Sequence, residues 1–278
     1  NDICSWGGQD NPEPKFGTVF SAIDFEDDVT AATIAATKTS IINLVNQLAV
    51  ISFSIEFADP VDTFIETDLF YQINPDLTPL STNAITTSVK TVVTDYFTLN
   101  TGKFKKSFRR SALLTLVDEV SSAVLSSRAI VRMQQRITPT LNVSNSFTLT
   151  FPSTIAIPAA KAVPTDADFI VKSNSFTVDG QTCRIVNEQA PNVATTKLQI
   201  VASGTGTVIV DNIGSYSTTS GILSIVGFTP NGLLGGETFI KISALPANQS
   251  AIVPERNNII NYDPDASTFT AVATEADY

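Results

Sequence analysis

Histidine is missing altogether from this 278-residue chain. That absence removes Ser-His-Asp and Cys-His catalysis, histidine-ligated zinc and the commonest general base near pH 7. Cysteine is almost missing too. Cys4 and Cys183 stand far apart with no metal-binding spacing, so a reducing compartment is the default. No apolar run approaches the roughly 18 residues that a membrane span needs, and no membrane partner is expected. Positive charge is scarce, with 17 Lys and Arg against 27 Asp and Glu and a net charge of −10. The chain starts at Asn1 with neither methionine nor an apolar signal region, which reads as a fragment of a longer protein.

Motifs that would carry chemistry are equally thin. Gly204-Thr205-Gly206 lacks the further glycine and lysine of a phosphate loop and reads as a hairpin. Asp263-Pro264-Asp265 lacks the glycine and distant glutamate of a calcium loop and reads as a turn. Asp62 and Glu66 share a strand face and could be paired carboxylates, but an ion pair with nearby arginines is the better reading. No catalytic residue, no metal site and no cofactor is expected, and the chain is read as a non-enzyme.

What is present is a basic island. Lys103 to Ile137 holds eight of the 17 basic residues, Lys103, Lys105, Lys106, Arg109, Arg110, Arg128, Arg132 and Arg136, and only two acids, Asp118 and Glu119. From Arg128 onward the pattern alternates. Ala129, Val131, Met133 and Ile137 fall on one face of a strand, and Arg128, Arg132 and Arg136 on the other with Ile130 and Gln134. The arginine row reads either as a solvated sheet face or as a docking surface for an acidic protein partner, since arginine favours protein interfaces, and all eight cations are candidate docking residues. Nucleic acid is not expected, because the net charge of the whole chain repels it.

Residues 1–16 lack periodicity and read as an extended or looping lead-in anchored by Trp6, the one tryptophan. A strand over Thr18–Phe25 follows. Glu26-Asp27-Asp28 then precedes a helix over Val29–Leu48, with Ile34, Ile41, Leu44, Val45 and Leu48 on its apolar face. Strands are expected at Ile51–Phe57 and Val61–Ile73. The clearest helical stripe is Ile85, Val89, Val92, Val93 and Tyr96, capped at Ser81 or Thr82. Another helix begins near Ser111 with Leu113, Leu116, Val117 and Val120 inward, and Ala123–Ile137 forms the fourth strand.

This order, β-α-β-β-α-α-β, matches an α+β, ferredoxin-like open-sheet domain with an extra helix over residues 17–138. Such a fold places the arginine row and the Asp62, Glu66, Asp68 row on one face, with Phe20 and Phe64 between them. Thr138-Pro139-Thr140 marks a boundary, and residues 139–278 read as a β-rich interaction domain of short alternating strands with an acidic, frayed tail from Thr268. Topology alone says nothing of function.

Four segments together resemble a known family: SWGGQDNPEPKFGTVF in the lead-in, SSRAIVRMQQRI before residue 138, GSYSTTSGILSI at Gly214–Ile225 and VPERNNIINYDP at Val253–Pro264. They resemble the C-terminal part of the baseplate wedge protein of T-even bacteriophages, related to the baseplate J-like proteins of contractile tails. The resemblance implies a non-enzymatic virion protein of the tail baseplate, assembled in the host cytoplasm. It implies homodimers that join with ring neighbours and other wedge proteins around the tail tube, in a ring that changes shape when the sheath contracts. The alternative reading is a carbohydrate- or receptor-binding β module of a virion fibre, suggested by the Ser- and Thr-rich C-terminal half. A hydrolase using carboxylates alone is a distant third.

Overall fold

The computed structural model describes residues 2–11, 13–48, 53–158, 165–190 and 193–274. Strands β1 (Asp2–Gly7) and β2 (Thr18–Asp24), helix α1 (Ala31–Leu48) and strand β3 (Ser54–Phe57) form an N-terminal unit. Its sheet has the order β1-β2-β3, with β1 antiparallel and β3 parallel to β2. A parallel pair needs a crossover, and α1 supplies it. The expected lead-in therefore contains a strand: Cys4 packs with Ala22, Phe104 and Ile259, and Trp6 stacks on Phe20 at 5.7 Å. Ile51 and Ser52, the first residues of the expected second strand, lie outside the described residues.

Helix α1 follows the amphipathic expectation in part: Ile34, Ile41 and Val45 are half-buried, although none of its residues is fully buried. Its sheet is only three strands wide and meets the helix through β3. Leu44 remains 54% and Leu48 69% exposed.

Strand β4 (Val61–Ile73), helix α2 (Thr82–Asn100), strand β5 (Phe108–Arg109), helix α3 (Arg110–Asp118) and strand β6 (Val124–Ile137) follow the expected order closely. The α2 stripe buries Ile85, Val89, Val93, Tyr96 and Phe97. The Ser81 hydroxyl caps α2 by accepting from the Ala84 N–H at 3.2 Å. In α3, Leu113 and Val117 are buried, whereas Leu116 is exposed.

The ferredoxin-like strand order does not form. Strands β4 and β6 pair directly and antiparallel, Glu66 opposite Arg132 and Phe70 opposite Arg128, while β2 belongs to the other sheet. The expected place of Phe20 between the charged rows is corrected by the same fact.

The remaining strands are β7 (Asn145–Thr150), β8 (Val171–Ser173), β9 (Phe176–Val178), β10 (Gln181–Ala190), β11 (Val193–Ala202), β12 (Val208–Tyr216), β13 (Ile222–Phe228), β14 (Gly232–Leu233), β15 (Ile240–Ala244), β16 (Ala251–Ile252), β17 (Asn258–Tyr262) and β18 (Thr268–Ala273). The large sheet runs β17-β4-β6-β15-β8-β10-β11-β12-β13-β7 and crosses the Thr138–Thr140 boundary, because Ile240 of β15 pairs with Ile137 of β6. Beyond β15 it curls back on itself. Ile155 bridges Pro246, and the N–H groups of Ala156 and Ala247 donate to the carbonyls of Leu245 and Thr154. Gly214 allows the close pairing of β12 with β13: its φ is +141°, and a Cβ there would lie 2.0 Å from the Ser224 carbonyl oxygen.

Thr268–Ala273 forms a strand, against the expectation of a frayed tail, whose last residues, 275–278, lie outside the described residues. Strand β18 lies parallel to β4 from Thr268 beside Asp68 to Ala273 beside Ile73. Phe269 and Ala271 pack on the core, and Lys90 of α2 sits 5.6 Å from the Phe269 ring. The strand itself carries no acid, and the acidic residues of the tail, Glu275 and Asp277, lie outside the described residues.

Candidate protein-interaction surface

The alternation along β6 holds. Ala129, Val131, Met133 and Ile137 are all buried in the main core. The other face carries the arginine row beside Phe64, Glu66, Asp68 and Phe70 of β4, but much of that face is covered. Arg132 is 3% exposed and donates from NH1 to the Ile170 carbonyl at 3.2 Å. Burial pushes its pKa down, and the charges of Glu66, Asp68 and Asp166 oppose that shift.

Arg136 lies between two rings, 3.6 Å from the Phe64 centroid and 4.5 Å from that of Phe239. Its guanidinium reaches the Asp263 carboxylate at 3.2 Å and the Gln134 side-chain oxygen at 3.2 Å. Asp263, 2% exposed, also accepts from Lys241 at 3.0 Å and from Gln134 at 2.9 Å. Burial opposes the charged carboxylate, but the bonds from Gln134 and Lys241 and the lysine charge outweigh it and hold Asp263 below the usual carboxylate range. Gln134 donates to Glu66 at 2.6 Å, and the Ser243 hydroxyl donates to the same carboxylate.

Burial thus corrects Arg132 as a docking residue, whereas Arg136 keeps an exposed position. Arg132 is sealed in, and Arg136 is engaged by two aromatic rings and an internal acid. Arg128 stays exposed, flat on Phe70 at 4.2 Å. The pairing of Asp62 with Glu66 dissolves as well: Glu66 belongs to the buried network, while Asp62 accepts from Asn261 at 2.8 Å and has its carboxyl pushed up chiefly by burial.

The other five cations lie between the end of α2 and the first residue of α3. Lys103, Lys105, Lys106 and Arg109 are exposed and Arg110 is half-buried. Among the described residues none of them makes an ion pair. Aromatic anchors interleave with the charges in KFKKSFRR. Phe104 is 6% and Phe108 0% exposed. Phe108 stacks on Phe97 at 5.6 Å, and Phe97 stacks on Tyr262 at 4.1 Å. The Tyr96 hydroxyl accepts from the Arg109 N–H at 2.9 Å and donates to the Arg109 carbonyl at 3.1 Å. Strand β5 pairs with β16. Cations are therefore presented from a fixed backbone, which lowers the ordering cost of docking.

Residues 63–136, from β4 through β6, match the family model described as baseplate structural protein gp6, C-terminal domain III. The resemblance to phage baseplate wedge proteins holds over this segment. No curated protein matches the chain. The baseplate match spans less than half of the chain, yet it contains both the basic loop and the arginine strand. It likens this segment to a structural protein of the baseplate. Among the described residues no cluster of three or more His, Cys, Asp or Glu side chains is placed to hold a metal ion. No helix among them is long and apolar enough to cross a membrane.

Two features of the baseplate segment escaped sequence reading. The Phe104 and Phe108 anchors were legible as apolar residues at four-residue spacing among cations. The burial of Arg132 was not, because its cover includes the Ile170 backbone, distant in sequence.

Proposed function

We propose that this chain is a dimerising subunit of the inner baseplate ring, linking wedges around the tail tube and taking part in tail assembly and in the shape change of sheath contraction. The observation that carries the reading is the anchored loop with exposed Lys103, Lys105, Lys106 and Arg109 and half-buried Arg110, inside the baseplate-matched segment of a chain with net charge −10. Such a loop fits an acidic surface on a neighbouring copy or another wedge protein, and charge complementarity steers the encounter and sets register. The buried Glu66–Gln134–Asp263 network ties β4, β6, β15 and the turn after β17 into one body, so the reading assigns motion to contacts between subunits. Residues 17–138 and 139–278 would then serve as two interaction regions on a shared sheet.

The loop cannot face itself across a two-fold axis, because five cations would oppose five. A ring of dimers therefore needs a second contact. The test is Lys105→Glu with Lys106→Glu and Arg109→Glu, followed by sedimentation velocity and by incorporation into baseplates. The triple variant should lose salt-sensitive association beyond the dimer and should stay folded. Incorporation equal to wild type would refute the loop as a docking surface.

A further inference from the structure

We propose that the cavity between the N-terminal sheet and the first residues of β4 and β17 binds a neutral saccharide. The cavity has a volume of about 440 Å³, a size usual for small-molecule sites. Trp6 of β1 and Phe20 of β2 give it an apolar wall, and Asn11, Glu13, Arg256 and Asn258 line it with polar groups. The two rings stack on each other, and the indole N–H donates to the Asn11 side-chain oxygen at 3.4 Å, so the wall is held in place. Binding here needs no second copy of the chain and is independent of the ring reading above.

Two acceptors in this lining are unanswered. Asn258 is 8% exposed, and its side-chain oxygen is buried with no hydrogen-bond partner among the described residues. Its Nδ2 donates to the Glu255 carbonyl at 3.2 Å, which fixes the end of the amide that carries the oxygen. A buried acceptor left unmet is unfavourable, and the gain falls to whatever brings it a donor. Glu13 is exposed, and its carboxylate has no partner among the described residues. One donor stands with them. Arg256 gives an N–H to the Asp10 carbonyl at 2.7 Å, and the rest of its fork has an ion pair to Glu255 at 3.6 Å. Its backbone is left-handed, with φ at 53°, which is uncommon for a non-glycine residue and recurs at binding sites.

This mixture of groups selects the ligand. An anion meets the Glu13 carboxylate and the Asn258 oxygen, a cation meets Arg256, and an apolar ligand leaves all three unanswered. Lys15, 5.6 Å from the Phe20 ring, adds no net charge because Glu56 pairs with it at 2.7 Å. Neighbouring hydroxyls of a hexose donate and accept at once, so they answer both acceptors and the guanidinium while a C–H face of the sugar ring lies against the Trp6 and Phe20 wall.

Trp6 is the one tryptophan, so its fluorescence reports on this cavity. The test titrates the 278-residue chain with the methyl glycosides of glucose, galactose and mannose, and with glucose 6-phosphate as the charged comparison. At least one glycoside should shift the Trp6 emission with a dissociation constant of roughly 1–10 mM, as expected of so small a ligand. Glu13→Ala and Asn258→Leu should each raise that constant about 10-fold or more. Glu13 is exposed, so its variant keeps the test valid if Asn258→Leu fails to fold. No shift with any of the three glycosides at about 100 mM overturns the proposal. An unchanged constant in Glu13→Ala overturns the site, and tighter binding of glucose 6-phosphate than of every neutral glycoside overturns the ligand class.

Discussion

Asp263→Asn is the sharpest probe of how the charged face is built. The substitution keeps the side-chain volume and the oxygen that accepts from the Ala266 N–H at 3.2 Å. It removes the negative charge that answers Lys241 at 3.0 Å and Arg136 at 3.2 Å. Removing one partner of a buried ion pair costs about 3–5 kcal/mol. Arg136 is 30% exposed and keeps its two ring contacts, so a cost of about 2–4 kcal/mol is expected. For a chain of this length that is roughly 5–15 °C in melting temperature.

The pH dependence has a definite sign. The Asp263 pKa is lowered in the folded protein, so its stabilisation is complete above the unfolded value and disappears as pH falls through the lower folded one. The gap between wild type and variant should be full at pH 7 and shrink below about pH 4. Differential scanning calorimetry at both pH values reads this directly. A difference under about 2 °C at pH 7, or one unchanged at pH 3, would refute the assignment of Asp263 as the charge hub.

The two other arginine positions should separate in urea titrations. Arg132→Glu sets a carboxylate against Glu66 in a sealed site and should cost at least about 3 kcal/mol, whereas exposed Arg128→Glu should cost about 1 kcal/mol or less. Equal effects in urea titrations would contradict the burial difference. The loop triple Lys105→Glu/Lys106→Glu/Arg109→Glu should shift stability by no more than about 1 kcal/mol, because none of the three is in an ion pair among the described residues. A larger loss in the same titration would mean that the loop cations serve the fold.

The elements that sequence reading placed well are those whose own periodicity decides them. Strand β4 occupies the expected Val61–Ile73, and the Ile85, Val89, Val93 and Tyr96 stripe faces the core. Pairing between elements was not legible, because the order β-α-β-β-α-α-β is compatible with more than one set of strand neighbours. The decisive partners are remote: Asp263 meets Gln134 and Arg136, and β18 returns to β4 across some two hundred residues. At the tail the fraying expected from Thr268 is overturned only as far as β18, where Phe269 and Ala271 carry the alternation of a packed strand; the acids Glu275 and Asp277 lie outside the described residues. At α1 a correct helix was assigned a face that is half-buried at Ile34, Ile41 and Val45 but left exposed at Leu44 and Leu48.

The central claim is that the cation loop is covered by a neighbour in the assembled baseplate. Lysine acetylation footprinting, read by mass spectrometry on the free chain and on intact baseplates, tests it most directly. Lys105 and Lys106 should react in the free chain and be protected in the baseplate, while exposed Lys90, away from the loop, should change little. Full reactivity of Lys105 and Lys106 in intact baseplates would contradict the account.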